Sequence, residues 1–409
     1  MPCLAFCYLK ENDVDIACKE IGKQELRRSL RLTWNWFVNS GVMLPNDGMW
    51  GVAERIMLSD NNEAAQKTLD AFPAWTRHDG YCVIEQRRAD CCAETAFLFS
   101  LLYDSLKGEK YRAATEMMLD FLYFRSGLLN RSGSPDLIGT WQWSHIKHTN
   151  VIYFDDDSWM AFLALKLAKR HPEWDEKYSL TRLALCLADH LAKAFPIYFR
   201  EPETKETDFH WRGNTRLPHW GALVCMALAE AYRINPNPKY ADTIAMYEDY
   251  MLDNSDAFTT SEYGYVLLGC VPAWQHLHNK RSFQCAKLYA DKIVAKMDPG
   301  TGNVPSEHYE TPNGKNLVDT IYTMNWALLG MQNWAKAAPE YKQYYDIMLA
   351  LLLKIQDGTP LPHLNGCWRG MFDLDINAWG GGDRFEGGAN SIYTGWTNAP
   401  IGWLSLSLF

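Results

Sequence analysis

Asp155, Asp156 and Asp157 stand in Tyr153-Phe154-Asp155-Asp156-Asp157-Ser158-Trp159-Met160, between a loop carrying Trp141, Trp143, His145 and His148 and a helix-forming run. A helix start tolerates acids, because its first turn carries free N–H groups and the positive end of the dipole. One Asp suffices for a cap, and a cap needs no surrounding tryptophans. Three adjacent carboxylates beside aromatics therefore suggest acid/base chemistry on a sugar, where cleavage of a glycosidic bond needs a general acid plus a base or nucleophile.

A second carboxylate precedes another helical run, in Arg87-Arg88-Ala89-Asp90-Cys91-Cys92-Ala93-Glu94, and 66 residues divide Asp90 from Asp156. If that interval is one structural repeat, the two become neighbours on a common face. Juxtaposed carboxylates raise one another's pKa, which keeps one of them protonated near neutrality. The plainer reading has Asp90 capping its helix and pairing with Arg87 or Arg88.

Trp141, Trp143, Trp211, Trp220, Trp274, Trp368, Trp379 and Trp396 all fall in or beside segments that break the helical pattern. Flat rings flanked by hydrogen-bonding groups suit the faces of pyranose sugars, although tryptophan also fills cores. The stretch from His210 to Gly221 adds Arg212, Arg216 and His219 to Trp211 and Trp220. Those cations suit the carboxylate of a uronic acid, arginine through its fork; alternatively they neutralise the aspartates or a helix end. The expected sugar-binding set is Trp141, Trp143, His148, His210, Trp211, Arg216, His219, Trp220 and Trp396. The Gly-rich segment 384–398 reads as a loop closing the last helical pair over the site. Histidines are scattered and no paired metal-ligand spacing, phosphate loop or nucleophile elbow occurs, so neither a metal nor a cofactor is expected.

The composition fits a soluble globular protein, with 47% hydrophobic and 22% charged residues. A net charge of −9 without a basic cluster argues against nucleic-acid and anionic-membrane partners. Eleven cysteines, an odd number without framework spacing, read as reduced core thiols. A cytoplasmic protein is expected, or a periplasmic one whose leader has been cleaved, and no apolar run is long enough to span a membrane.

Helices must position these groups. A helix rich in Ala and Leu ends in a polar turn and a Tyr opens the next, at Tyr111, Tyr178, Tyr240 and Tyr341, with a degenerate copy around Gln275 to Phe283. Helices are expected at 26–39, 61–73, 90–106, 110–125, 157–170, 177–194, 218–233, 238–252, 261–278, 281–297, 319–335 and 339–355, with a terminal segment near 398–408. A helical hairpin cannot bury its apolar face alone, so the copies must stack or close. The turns within hairpins are short, while the links between them (126–155, 197–217, 299–318 and 357–397) are long and leave from one end, converging on one face. The expectation is all-α: a single domain, 1–409, forming an (α/α)6 toroid, with an open solenoid as the alternative.

At these residues the chain resembles the six-hairpin glycosidases. Arg88-Ala89-Asp90, Leu102-Tyr103 and Gly108-Glu109-Lys110-Tyr111 are similar to the first acidic region of the unsaturated glucuronyl and rhamnogalacturonyl hydrolases, and Phe154-Asp155-Asp156-Asp157-Ser158-Trp159-Met160 to their second. That resemblance implies Asp156 as general acid/base and Asp90 as its partner. The familiar Trp-Asp is here Phe-Asp-Asp-Asp. The same segment also resembles the Asp-Asp motif of the endo-α-1,6-mannanases, which implies Asp155 and Asp156 as the pair.

The reading is a glycoside hydrolase that removes a uronic acid, saturated or unsaturated, from the non-reducing end of an oligosaccharide. The rivals are a mannanase-like glycosidase, a sugar 2-epimerase working through paired histidines among His148, His219, His276 and His308, and a sugar-binding toroid without catalysis.

Overall fold

Several helical runs of this chain are apolar on every side, and such helices are stable only when other helices surround them. The computed structural model describes residues 21–58, 63–146, 151–201, 211–306, 316–380 and 387–404. Its α-helices in chain order are α1 (Lys23–Asn39), α2 (Glu63–Asp70), α3 (Ala89–Leu106), α4 (Glu109–Asp120), α5 (Phe154–Arg170), α6 (Pro172–Tyr178), α7 (Leu180–Arg200), α8 (Pro218–Ile234), α9 (Pro238–Asp253), α10 (Thr260–Leu277), α11 (Lys280–Lys296), α12 (Met324–Ala337), α13 (Lys342–Ile355) and α14 (Ala399–Leu404). Helices α3, α5, α8, α10, α12 and α14 pack side by side in that order, and α14 returns to α3. The ring is closed, so the structure is an (α/α)6 toroid and not an open solenoid.

Five outer helices, α4, α7, α9, α11 and α13, each pack on the inner helix of their own hairpin. The sixth hairpin is split: α1, near the start of the chain, covers α14, near its end. Burial follows from position in the ring. Inner α3 is buried continuously from Ala89 to Leu102, whereas outer α7 buries Leu180, Ala184, Leu187, Ala188, Leu191 and Phe195, a one-sided stripe.

The recurrent tyrosines stitch the outer ring. Each opens or shortly precedes an outer helix, and in three of the four the hydroxyl donates to a carboxylate of the preceding outer helix: Tyr178 to Asp120 and Tyr240 to Asp189 at 2.7 Å each, and Tyr341 to Asp291, while Tyr111 packs edge-on against Trp34 of α1. The degenerate copy has Phe283 instead, which packs against Trp274 and Trp334.

The expected helix at 61–73 is shorter, and α2 lies against a strand. The loop end also carries three small sheets that the helical reading missed. The strands are β1 (Arg55–Leu58), β2 (Trp75–His78), β3 (Tyr81–Ile84), β4 (Ile152–Tyr153), β5 (Trp211–Arg212), β6 (Leu317–Asp319), β7 (Met371–Asp373), β8 (Ala378–Trp379) and β9 (Ser391–Tyr393). β2-β3-β1-β9 and β6-β7-β8 are antiparallel, and β4-β5 is a parallel pair that ties the approaches to α5 and α8. No helix among the described residues is long and apolar enough to cross a membrane. The cysteines among them, Cys91, Cys92, Cys225 and Cys270 included, are free thiols.

The inner ring is tight enough that helices meet backbone to backbone. A Cβ added at Gly264 on α10 would lie 2.4 Å from the carbonyl carbon of Trp326 on α12. We expect Gly264→Ala to force α10 and α12 apart and to destabilise the protein by about 1–3 kcal/mol or more in chemical denaturation, as overpacking does. A change below about 0.5 kcal/mol would show that the ring is looser than described.

Candidate active site

In every complete hairpin the chain enters through the inner helix, so the inner helices run parallel and their first turns share one end of the toroid. That end holds the candidate residues. Arg88, immediately before α3, is buried, and its guanidinium reaches three carboxylates. Nε and Nη2 donate to the two oxygens of Asp90 at 3.0 and 2.6 Å, Nη2 also to Asp156 at 2.9 Å, and Nη1 to Glu54 at 3.2 Å. Its flat face lies 5.1 Å from the ring centre of Trp143 and 5.4 Å from that of Trp396. Burial works against the guanidinium's charge, but Asp90, Asp156 and Glu54 hold it firmly protonated.

Asp90 has little capacity left for a substrate. Its side chain is fully buried, both oxygens are bonded to Arg88, and the Trp396 indole N–H donates to Oδ2 at 2.7 Å. Asp156 is different. Its carboxyl shares a hydrogen bond with Asp90, and burial, then Asp90 and Asp155, push it well above the usual carboxylate range despite Arg88. Its protonated form is therefore favoured over that of a free carboxyl.

Its neighbour Asp155 is also raised by burial, but only to about 6, because His219 and Arg88 oppose the rise. One buried oxygen of Asp155 has no hydrogen-bond partner among the described residues. Asp157 turns into the wall, where it accepts the Trp141 amide at 2.9 Å. Burial raises all three carboxyls, Asp156 and Asp157 well above the usual range and Asp155 only to about 6, and Asp157 is the one bonded into the wall.

The remaining helix starts complete the rim. His219, in the first turn of α8, is gripped by Glu262 of α10: its amide donates to one carboxylate oxygen at 2.8 Å and Nδ1 meets the other at 2.7 Å. Ser261 and Thr323 join α10 to the approach of α12 at 3.0 Å, and Asn325 of α12 donates to the Trp396 carbonyl. Trp396 closes the circuit. Its φ of 47° is costly for a residue with a side chain, and it is fixed by that bond, by its indole on Asp90 and by its amide on Glu94 at 2.8 Å.

The structure brings Asp90, Asp155, Asp156, Trp143, His219, Trp220 and Trp396 to this mouth. Trp220 packs on His219 with ring centres 3.6 Å apart. Other expected contacts need correction. Trp141 is buried against Tyr123, and Trp211 is buried and stacked on Phe154 at 4.7 Å, so both fill the wall because their flanking backbone is tied to the inner helices. Arg216 lies over Phe199 and Tyr250 of outer helices, at 4.4 and 5.3 Å, where aromatic faces attract its cation away from the aspartates. His148 and His210, like His308 and Arg384, lie outside the described residues.

Sequence reasoning offered Arg88 only as an alternative partner for Asp90, and missed Glu54, Glu94, Tyr153 and Glu262. Glu262 had a usable signal, a carboxylate in the first turn of an expected helix, as Asp90 is. Asp90, Cys91 and Glu94 are the one group among the described residues with metal-ligand geometry, their donor atoms within 4.8 Å. Arg88 and Trp396 already occupy the oxygens of Asp90, and a Trp396 amide occupies one of Glu94.

No protein-family model matches this chain, and no curated protein matches it in sequence. Solved structures do match it. Cellobiose 2-epimerase from Bacillus thermoamylovorans B4167 superposes with a TM-score of 0.62 at 11% identity, covering 93% of this chain and 98% of that one. A variant of unsaturated glucuronyl hydrolase from Streptococcus agalactiae gives 0.58 at 13%, covering 95% and 92%. An inactive variant of an α-1,6-mannanase of a Salegentibacter species, in complex with α-1,6-mannotetrose, gives 0.55 at 11%, covering 93% and 98%. The (α/α)6 toroid is therefore a fold that this chain shares with these three enzymes.

Two outcomes test this geometry. Removing the guanidinium by Arg88→Met leaves three carboxylates buried together, and should cost more than about 3 kcal/mol in urea unfolding at neutral pH; a loss under about 1 kcal/mol would contradict the clamp. Asp155 has a folded-state pKa raised from 3.8 to about 6, so its proton stabilises the fold fully below 3.8 and that contribution is lost as pH rises through 6. Asp155→Asn should therefore gain on the wild type between pH 4 and 7, by on the order of 2–3 kcal/mol. Parallel stability curves for the two proteins would refute the shift.

Proposed function

We propose that this chain is a single catalytic domain, 1–409, and a glycoside hydrolase that acts on an oligosaccharide. The observation that carries the proposal is the buried pair Asp156 and Asp155 at an aromatic-walled mouth: burial and Asp90 push one carboxyl well above the usual carboxylate range, while the next rises only to about 6. Two carboxyl groups with separated pKa values are what acid/base cleavage of a glycoside requires. Asp156 gives its proton to the leaving oxygen as the bond to the anomeric carbon breaks. Water adds to that carbon and loses a proton to Asp155. Asp90 touches Asp156 and Arg88 but has no oxygen to spare, so it acts by holding the proton on Asp156.

Trp143, Trp396 and Trp220 offer rings to the sugar. With Arg216 turned outward, the cation for a uronic acid at the non-reducing end is Arg212, which is exposed and paired in register with Tyr153 at the mouth. This keeps the uronyl substrate as the finer part of the proposal. A mannanase-like use of Asp155 and Asp156 is favoured by a different observation: the inactive mannanase variant carries two adjacent aspartates changed to alanine. The epimerase reading needs a second histidine beside His219; among the described candidates His276 instead bonds Glu230 near the far end of the toroid, and His148 and His308 lie outside the described residues.

Asp156→Asn should lower kcat by about 10²–10⁴ with little change in KM, measured as new reducing ends from unsaturated uronyl disaccharides and from α-1,6-mannotetrose. Full turnover by that variant on whichever substrate the wild type cleaves would overturn the assignment.

A further inference from the structure

Glu94 is a buried carboxylate that the proposed chemistry leaves unused. It lies in the second turn of α3 with no exposure, and its Oε1 has no hydrogen-bond partner among the described residues. Burying such a group is costly unless its bonds return something. Its other oxygen accepts the backbone amide of Trp396 at 2.8 Å.

Trp396 is itself in an unusual state. Its φ of 47° with ψ of −36° suits glycine, and a side chain there is strained. Such strain persists only where the surroundings over-determine it. Core filling does not explain a tryptophan at this position, because its ring stays partly exposed at the mouth while Thr394, Gly395, Thr397 and Asn398 around it are buried. The segment is pressed onto α3: a Cβ added at Gly395 would lie 2.3 Å from Glu94 Oε2 and 2.7 Å from the Cα of Cys91.

The peptide of Trp396 is gripped at both ends. Glu94 of α3 takes its N–H and Asn325 of α12 donates to its carbonyl, so the two inner helices that neighbour α14 each hold one side. The indole N–H is spent on Asp90 at 2.7 Å, and the ring meets Trp326 edge-on at 5.8 Å. Releasing either backbone bond lets the peptide relax to the negative φ that a side chain prefers, and the ring turns with it.

We propose that Glu94 and Asn325 are positioning residues, whose two bonds hold Trp396 in its positive-φ conformation so that its ring stands as a fixed platform for a pyranose at the mouth. The inference rests on the hydrolase reading for the identity of the ligand as a sugar. A ring set in advance gives up no freedom when the sugar arrives.

The ring can be followed without substrate. The full chain is made with fluorotryptophan, and the fluorine NMR signal of Trp396 is assigned from its loss in Trp396→Phe. Glu94→Gln keeps an oxygen for the Trp396 amide, whereas Glu94→Met keeps the bulk and removes the acceptor. We expect the signal to hold its place in Glu94→Gln and to move toward that of free tryptophan in Glu94→Met. On whichever of the uronyl disaccharides and α-1,6-mannotetrose the wild type cleaves, Glu94→Met should raise KM by about ten- to a hundredfold. Glu94→Met combined with Trp396→Phe should be no worse than Trp396→Phe alone, since Glu94 acts through that ring. A signal that stays in place in Glu94→Met, one that moves equally in Glu94→Gln, or losses that add in the double variant would each overturn the proposal. Should Glu94→Met not fold, Asn325→Ala cuts the other bond and carries the same test with the same expected shift. If the signal stays in place while Asp156→Asn abolishes cleavage, the positioning role falls and the hydrolase reading stands. If the signal moves as expected while Asp156→Asn cleaves normally, the hydrolase reading falls and the grip on Trp396 stands.

Discussion

One guanidinium organises this mouth. Glu54, Asp90 and Asp156 are carboxylates with almost no exposure, and bringing three of them together away from water is unfavourable unless a cation sits among them. Arg88 meets the need because its planar fork addresses all three at once, and because its flat surface can rest against Trp143 and Trp396. A lysine would supply the charge but neither the fork nor the flat surface. The same contacts join the approach of α3 to α5 and, through the indole of Trp396, to the segment before α14. The closure of the inner ring and the chemistry of its mouth therefore share one set of hydrogen bonds.

Environment, not residue type, separates the four aspartates. Asp157 meets a backbone amide and becomes part of the wall; Asp90 is saturated by Arg88 and Trp396. Asp156 lies beside Asp90, which together with burial pushes it well above the usual carboxylate range, while His219 and Arg88 limit the rise of Asp155 to about 6. Six parallel helix starts make such crowding tolerable, since their first-turn N–H groups and dipoles favour negative charge at that end.

Much of this was legible in the sequence. The tyrosine-marked hairpins and their long links predict the toroid, and the repeat-length interval between Asp90 and Asp156 predicts their meeting, which Arg88 mediates. The small sheets were hidden because runs such as Arg55-Ile56-Met57-Leu58 are too short for periodicity to separate strand from helix. Asp79-Gly80, a two-residue turn between paired His78 and Tyr81 with Gly80 at φ 80°, was the signal available for the hairpin. The roles of Trp141, Trp211 and Arg216 were not legible, because a side chain beside a loop can point to the cleft or to the wall, and only tertiary packing decides. The split sixth hairpin was hidden for a related reason: nothing local in α1 says that it must cover a helix more than three hundred residues away.

Asp156 is proposed to deliver the proton that breaks a glycosidic bond. The most direct measurement is incubation of the full chain with uronyl and mannosyl oligosaccharides in water enriched in heavy oxygen, with the products weighed by mass spectrometry. One heavy oxygen should enter each new reducing end at the anomeric carbon, in step with chain shortening. Products of unchanged length that instead take up deuterium at a sugar carbon in heavy water would contradict hydrolysis and assign the mouth to an isomerase.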